Sequence, residues 1–557
     1  MKNVFLSIFL SIGLSACSYG QGPVSFNLGG DPAVRKLSMT LSAIENYYVD
    51  TINKNKMADE AIVFMLQKLD PHSGYLTPEE VKEMNEPLQG NFDGIGIQFN
   101  MLTDTLYVVQ VIPGGPSEKV GLMAGDRILR VNDTLIAGVG MKNTDIMSRL
   151  RGPKGTTVKI QVKRRNELIP FSIVRDKIPI YSLDASYMLD KETGYIALNR
   201  FAETTYGEFM KALRELQGQG MKTLILDLQS NGGGYLNSAI DIANEFLKRG
   251  SLIVYTEGAH QRREDAYATK KGSFEDGELI VLINEASASA SEIVTGALQD
   301  WDRAVVVGRR SFGKGLVQRP LPLPDGSMLK LTTARYYTPS GRSIQKPYEK
   351  GNSNAYNMEV IDRYNRGEML SVDSIHFPDS LRYTTLVNKR TVYGGGGIMP
   401  DYFVPLDTTY YTNIHRALVA SGTVNKFVMN YIDTNRPALK AKYAGFKTFK
   451  SNFTVSDEML KSLLNLYESD NKNAKTQVNR MEDEFFSPED IVAVDQKNLQ
   501  DFQKSSPLIK LQIKALIARD MWDMSEYYQI INQENNVLKQ AVKIINDTKE
   551  YNKLLGK

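Results

Sequence analysis

The densest run of residues able to do chemistry is Asn284-Glu285-Ala286-Ser287-Ala288-Ser289-Ala290-Ser291-Glu292. It follows an apolar stretch, residues 278–283, with the character of a buried strand, and it opens a helical pattern over residues 289–298. A strand-to-helix junction exposes unpaired N–H groups at the positive end of the helix dipole. Such groups stabilise a developing oxyanion, so a serine at this junction is a candidate nucleophile. Ser289-x-x-Glu292 also reads as a helix capping box, and the residues alone leave both readings open.

A serine needs a base. The four histidines (His72, His260, His376, His415) lie outside the α/β motifs or in polar stretches, which weakens a Ser-His-Asp reading. Lysine is the alternative. An exposed lysine, with a pKa of about 10.4, is protonated at neutral pH, but burial among apolar groups lowers that value by several units. Lys314, in Ser311-Phe312-Gly313-Lys314-Gly315-Leu316-Val317-Gln318, is the candidate, and its flanking glycines permit close backbone approach. The stretch Gly308 to Lys314 also fits the phosphate-binding pattern G-x-x-x-x-G-K. Gly315 stands where the magnesium-binding Ser or Thr belongs, and Pro320, Pro322 and Pro324 preclude the helix that a phosphate needs, so a nucleotide site is rejected. A third element is Asp227-Leu228-Gln229-Ser230-Asn231-Gly232-Gly233-Gly234, directly after an apolar strand over residues 223–228. Three glycines leave backbone N–H groups unobstructed, as an anion-binding nest requires. A plain flexible turn is the competing reading.

The elements that position these residues alternate. Residues 194–201 are apolar and extended, Phe209, Leu213 and Leu216 share a helical stripe, and the strand 223–228 precedes a helical stretch over 237–247. Strand 278–283, helix 289–298 and strand 304–308 follow, which predicts an α/β core. Helical periodicity covers residues 31–86, with Thr77-Pro78-Glu79-Glu80 starting a helix by an N-cap and a proline at its first position. Residues 90–175 carry short strands and Gly-rich turns, including strands at 106–112 and 157–162 and a short helix at 144–150. From residue 409 the chain is mostly polar helix, and Val537, Ala541, Ile544 and Ile545 mark a last amphipathic helix expected to pack as a cap. The predicted class is α/β and multidomain.

Composition sets the outer bounds. The 557 residues carry 67 Lys+Arg against 64 Asp+Glu, a net +3 too balanced for nucleic acid as the main partner. One cysteine excludes an intrachain disulfide, and four histidines leave little material for a metal site, so no metal or nucleotide cofactor is indicated.

Taken together, the segments resemble the carboxyl-terminal processing proteases, tail-specific serine proteases of peptidase family S41. The matching text is Leu69-Asp70-Pro71-His72-Ser73-Gly74-Tyr75-Leu76, Gly94-Ile95-Gly96-Ile97, residues 227–234, 287–292 and 312–318, Thr338-Pro339-Ser340-Gly341-Arg342-Ser343-Ile344-Gln345, and Gly397-Ile398-Met399-Pro400-Asp401, in family order. The resemblance implies that Ser289 is the nucleophile, that Lys314, 25 residues later, is the general base, and that Gln318 positions the lysine. It implies an oxyanion hole from the N–H groups of Ala290 and Gly233. It also implies a PDZ domain at residues 90–176, inserted before the protease core. There the Gly94-Ile95-Gly96-Ile97 loop would hold a peptide carboxylate, and Gly121-Leu122-Met123-Ala124-Gly125-Asp126 matches the second signature. Peptide or protein substrates with free C-termini are the implied partners, and no adaptor is identified. The organisation expected is a signal peptide (1–16), a tether (17–30), a helical region (31–89), the PDZ domain (90–176), a protease core (177–408, with an insertion at about 346–394) and a C-terminal helical region (409–557).

Three features depart from the family. Gln229 stands where an arginine is usual. Ile398 follows Gln345 by 53 residues, which makes the stretch between them an insertion, and nothing beyond Pro405 carries a motif. The first residues, MKNVFLSIFLSIGLSAC, combine Lys2, a short apolar run and Leu14-Ser15-Ala16-Cys17, which resembles the lipobox of bacterial lipoproteins. That resemblance implies acylation of Cys17 and a lipoprotein held to a membrane on the periplasmic side of the cell envelope; an ordinary cleaved signal is the alternative. No later segment offers about 18 uncharged apolar residues, so any anchor is lipid. Two rival functions remain open: a non-enzymatic PDZ scaffold, against which the intact Ser289, Lys314 and Gln318 speak, and an acyl-transferring or acyl-hydrolysing enzyme on a related core.

Overall fold

The computed structural model describes residues 31–102, 104–477 and 496–557; the expected signal peptide, the tether and Cys17 lie outside the described residues. The chain divides into two compact units, Met1–Leu66 and Gln67–Lys557. Within the first, helix Pro32–Tyr47 starts where Asp31 caps the Ala33 N–H at 2.7 Å and Pro32 sets the first helical φ. It buries none of its residues, and Leu37 and Tyr47 on it are exposed.

The second unit begins in the turn at Asp70 and the helix Pro78–Gln89. That helix has a reciprocal cap: Thr77 Oγ1 accepts from Glu80 N at 3.3 Å, and Glu80 Oε2 from Thr77 N at 2.8 Å. The β-rich module follows as an antiparallel sheet in the order Ile97–Leu102, Thr105–Val111, Arg127–Val131, Thr157–Arg164, Glu167–Val174. Alternate residues such as Leu106, Val108, Val158 and Val162 face its core, against the helix Asn143–Leu150. Among the described residues Ile97–Leu102 pairs on one side only and is an edge strand.

The α/β core is a six-stranded sheet ordered Leu183–Met188, Thr193–Leu198, Thr223–Asp227, Glu278–Ile283, Val305–Gly308, Tyr402–Phe403. Only the first pair is antiparallel. Its central strands carry apolar runs, Leu224–Leu226, Leu279–Ile283 and Val305–Val307, because both faces are covered. Leu224, Leu226, Leu279 and Val281 face the helices Thr205–Gly218, Leu236–Asn244 and Ala290–Asp300. Ile225, Ile280 and Leu282 face the other way, onto Val537, Ala541 and Ile544 of the helix Asn536–Ile545. The last amphipathic helix is therefore a packed cap, as its periodicity predicts.

A second, antiparallel sheet was not legible in the sequence. Gly74–Leu76, Met328–Tyr337, Leu252–Gly258 and Gln261–Tyr267 are paired in that order, and Leu316–Pro322 also pairs with Met328–Tyr337. The insertion after Gln345 contains a helix, Ser353–Asn365, and a hairpin of Arg382–Thr384 with Thr391–Tyr393. The C-terminal helices from Asn413 build their own core around Phe427, Phe449, Leu463, Ile509 and Ile513. One of them, Thr423–Lys442, reaches the β-rich module through Asp433, which pairs with Arg127 at 2.8 Å. Among the described residues no helix is long and apolar enough to cross a membrane.

Candidate active site

Strand Glu278–Ile283 ends at Asn284, and the three serines that follow separate by role. Ser287 Oγ donates to Leu228 O at 2.7 Å and Ser291 Oγ to Asn231 O at 2.9 Å; both serines are fully buried and tie the junction to the neighbouring strand end. Ser289 sits between them, partly exposed, as the N-cap of helix Ala290–Asp300. Its φ of 55° and ψ of −113° lie in a region that non-glycine residues rarely occupy. A strained, accessible serine at a helix mouth is the one of the three available for attack.

The triple-glycine turn packs directly on it. A Cβ on Gly233 would lie 2.7 Å from the Ser289 Cβ and 2.9 Å from Ala290 N, so only glycine fits. Ala290 is the first helical residue, whose N–H has no partner within the helix. The Gly233 N–H, expected to face an oxyanion, donates instead to Asn231 Oδ1 at 2.9 Å. Just before the turn, the buried Asp227 accepts from Tyr195 OH at 2.7 Å, Gln229 N at 2.8 Å and Gln229 Nε2 at 3.1 Å. An amide thus stands where a guanidinium is usual, and burial pushes the Asp227 carboxyl up to about 6.

Lys314 lies in a loop whose backbone is almost wholly accounted for. Ser311 N donates to Ile398 O, Phe312 N to Ser287 O and Gly315 N to Gln345 Oε1 at 2.8 Å, while Gly313 O accepts from Lys346 N and Gly315 O from Tyr336 N. Four donors converge on Glu292, which is 1% exposed: Ser311 Oγ at 2.5 Å and Gly313 N at 2.7 Å on Oε1, Lys314 N at 2.9 Å and Ser289 N at 2.8 Å on Oε2. Burial pushes this carboxyl up to about 7 against the pull of those donors. On the carbonyl side, the hydroxyl of the buried Tyr336 donates to Lys314 O and also lies 3.2 Å from Ser289 O. Nucleophile and base candidates are therefore gripped by the same two side chains, one at their N–H groups and one at their carbonyls.

Burial lowers the Lys314 pKa, nearby Lys330 lowers it further, and Glu292 opposes both. Among the described residues no hydrogen bond joins Lys314 Nζ to Ser289 Oγ, and Gln318 Nε2 donates to Leu316 O at 2.9 Å rather than to the lysine. His72 also lies close. Asp70 organises its turn by accepting from His72 N, Ser73 N, Ser73 Oγ and Thr332 Oγ1. The ring faces Tyr356 OH at 2.9 Å, and burial, with Lys314 nearby, drives its pKa down to about 4, which leaves a neutral imidazole.

Sequence reasoning missed Tyr336, the hub role of Glu292, the hold of Gln345 and the placement of His72. The capping pattern and the 338–345 motif carried a signal for Glu292 and Gln345; Tyr336 carried none. In the β-rich module, Gly94-Ile95-Gly96-Ile97 links Asn91–Gly94 to the edge strand. Gly96 has a φ of 77°, and the Ile95 and Gly96 carbonyls are engaged inward by Ser117 and Ile112. Among the described residues no group of three or more His, Cys, Asp or Glu side chains could hold a metal ion.

An α/β core with a serine at a helix mouth, a half-buried lysine and an appended β-rich module fits the class of serine-type peptidases with a PDZ domain. Residues 192–351 match the family model described as Peptidase family S41, residues 94–174 match PDZ domain, and residues 414–523 match a family of unknown function, DUF8443. A carboxy-terminal-processing protease of Bartonella bacilliformis is 38% identical over 309 residues, covering 54% of this chain and 70% of the relative. A probable CtpA-like serine protease of Staphylococcus aureus is 35% identical over 317 residues, covering 56% of this chain and 62% of its own. Among solved structures, a photosystem II D1 C-terminal processing protease is similar at 28% identity and a TM-score of 0.34, over 56% of this chain and 84% of that one. The chain belongs to the carboxy-terminal-processing proteases of peptidase family S41.

Proposed function

We propose that the chain is an endopeptidase that captures protein C-termini on its PDZ domain and cleaves upstream of them with a Ser289–Lys314 dyad. The observation that carries this reading is the shared grip of Glu292 and Tyr336 on both residues. With its side chain turned onto the Ser289 hydroxyl, neutral Lys314 takes the hydroxyl proton as Oγ bonds to the peptide carbonyl carbon. The ammonium then gives that proton to the leaving amine as the C–N bond breaks, and water hydrolyses the acyl-enzyme. Ala290 N–H faces the developing oxyanion; Gly233 N–H joins it once Asn231 Oδ1 releases it. Gln318 would reach the lysine from the adjacent strand.

The substrate tail adds as a strand beside Ile97–Leu102, with its carboxylate on the Gly94-Ile95-Gly96-Ile97 amides, a mode that an edge strand and a glycine turn support. Acylated Cys17 would keep the enzyme on the periplasmic side of the envelope. The test is a fluorogenic peptide carrying a free C-terminus, compared with its C-terminal amide and with a small ester. Turnover favouring the free acid, and lost in both Ser289→Ala and Lys314→Ala, supports the reading; turnover retained by either variant refutes the dyad. Mass spectrometry of the exported protein reads the lipid on Cys17 directly.

A further inference from the structure

Helix Ser353–Asn365 lies in the insertion, just beyond the residues that match the peptidase family. It nonetheless packs on the loop that carries Lys314. Arg363, which is 2% exposed, donates from Nη2 to Arg310 O at 2.8 Å and from Nη1 to Ser311 O at 2.9 Å. Burying a guanidinium is costly unless its charge and donors are met. Its nearest carboxylate, Glu368, lies 3.6 Å from Nε, and that nitrogen has no hydrogen bond. The two well-formed bonds of this cation therefore go to two successive carbonyls of one loop. A planar fork presents two N–H groups in fixed geometry, one to each carbonyl, which the single nitrogen of a shorter lysine does not reproduce.

From the same helix, Tyr356 OH meets Gln345 Nε2 at 3.3 Å, and Gln345 Oε1 is the acceptor for Gly315 N. The Tyr356 ring lies 5.9 Å from that of Phe312. Lys346, whose N–H holds Gly313 O, places its ammonium 4.0 Å from the Phe312 ring centroid and 4.2 Å from that of Tyr356, with Tyr356 O accepting at 3.0 Å. The helix thus grips the loop on both sides of Lys314, at Arg310 and Ser311 before it and at Gly315 after it. Ser311 is the critical link. Its carbonyl is held by Arg363, while its hydroxyl donates to Glu292, the carboxylate that also holds Ser289 N and Lys314 N.

We infer that Arg363 is a positioning residue for the base, with Tyr356 as its second hold, and that the insertion is a clamp keeping Lys314 withdrawn from water and in register with Ser289. This rests on the dyad reading above. In solvent nothing suppresses the lysine's ionisation, so loosening the clamp costs turnover through protonation as well as geometry.

The test is Arg363→Lys, which keeps the charge and loses the fork, assayed with a fluorogenic peptide across pH. The expected result is kcat lower by about 10–100-fold with KM nearly unchanged, the acid limb of the pH–rate profile moved to higher pH, and faster amide exchange over residues 310–315. Tyr356→Phe should move kcat and the acid limb in the same directions by less. A folded Arg363→Lys with the parent kcat and acid limb overturns the clamp. Where Arg363→Lys does not fold, Tyr356→Phe decides by the same two readouts. Ser289→Ala and Lys314→Ala run alongside: turnover in either sinks the dyad, whereas inactive dyad variants beside an unaffected clamp variant sink the clamp alone.

Discussion

Ser289 and Lys314 donate their backbone N–H groups to the same oxygen, Oε2 of Glu292, at 2.8 and 2.9 Å. The two residues are 25 positions apart and belong to different elements, yet their nitrogens lie within the sum of those distances. The carboxylate that a sequence reader takes for a helix cap is also the pin between nucleophile and base.

Glu292→Gln tests the pin. Glutamine matches the shape, but its NH2 must face two of the four donors. Each buried donor left without an acceptor costs about 1–3 kcal/mol, so thermal unfolding should shift down and kcat should fall by about 10–100-fold as the loop loses register. Above about pH 7, where the Glu292 carboxyl is mostly ionised, losing its negative charge also removes the influence that raises the Lys314 pKa. The acid limb of the surviving activity should therefore move to lower pH, and an unshifted or raised limb would contradict the proposed electrostatics.

Lys330→Met should do the opposite. Burial is the main cause of the lowered Lys314 pKa, and Lys330 is the next. Removing that cation makes the ammonium form of Lys314 easier to keep, so the acid limb should rise while activity well above it stays near the parent. A pH series of kcat/KM on both variants checks the opposite signs in one experiment.

The three serines of the junction should separate cleanly. Ser289→Gly removes the hydroxyl and places a glycine where φ is 55°. Turnover should drop by at least ~10³-fold, while relief of about 1–3 kcal/mol of backbone strain offsets the cost of an added glycine and keeps the unfolding midpoint from falling. Ser287→Ala removes the hydroxyl that donates to Leu228 O and accepts from the buried Asn284 N at 3.0 Å, so stability should fall by about 1–3 kcal/mol while substantial turnover remains. A Ser287→Ala protein as inactive as Ser289→Gly would mean that the assignment within the motif is wrong.

What the sequence disclosed follows from what buries what. The strand Glu278–Ile283 is apolar from Leu279 onward because helices cover both sides of its sheet, and the stripe of Val537, Ala541 and Ile544 is visible because one face of that helix meets the sheet. The antiparallel sheet left no such trace. Gln261–Tyr267 is mostly charged and polar, and it is held by pairing with Leu252–Gly258 rather than by burial. Leu316–Pro322 contains two prolines, which are tolerated because among the described residues the strand pairs only with Met328–Tyr337. Within the site, Ser289 and Lys314 could be found because a helix mouth and a glycine-flanked lysine have local signatures. Arg363 could not, since its partners are backbone carbonyls, and a carbonyl leaves no mark on residue type. Gly233 shows a third limit: the requirement for glycine was legible, but the engagement of its N–H by Asn231 depends on a rotamer.

Gln229→Arg addresses the departure from the family pattern beside the glycine turn. Asp227 is buried with only neutral partners, Tyr195 and Gln229, and its pKa is raised from 3.8 to about 6. Between those values the native state holds a proton that the unfolded chain has released, so this group makes stability fall as pH rises from about 4 to about 6, and the penalty persists above that. One unit of pKa difference corresponds to about 1.4 kcal/mol, which puts the penalty on the order of 2–3 kcal/mol at neutral pH. Position 229 is partly exposed, so an arginine can lay its guanidinium against the carboxylate while its chain reaches toward solvent. The counter-charge lowers the Asp227 pKa and removes the penalty. Urea unfolding should find the variant close to the parent at pH 4 and more stable by up to about 2–3 kcal/mol at pH 7.5. A difference that is constant across this range would mean that Asp227 is already ionised in the native protein and that the Gln229 and Tyr195 donors suffice to hold its charge.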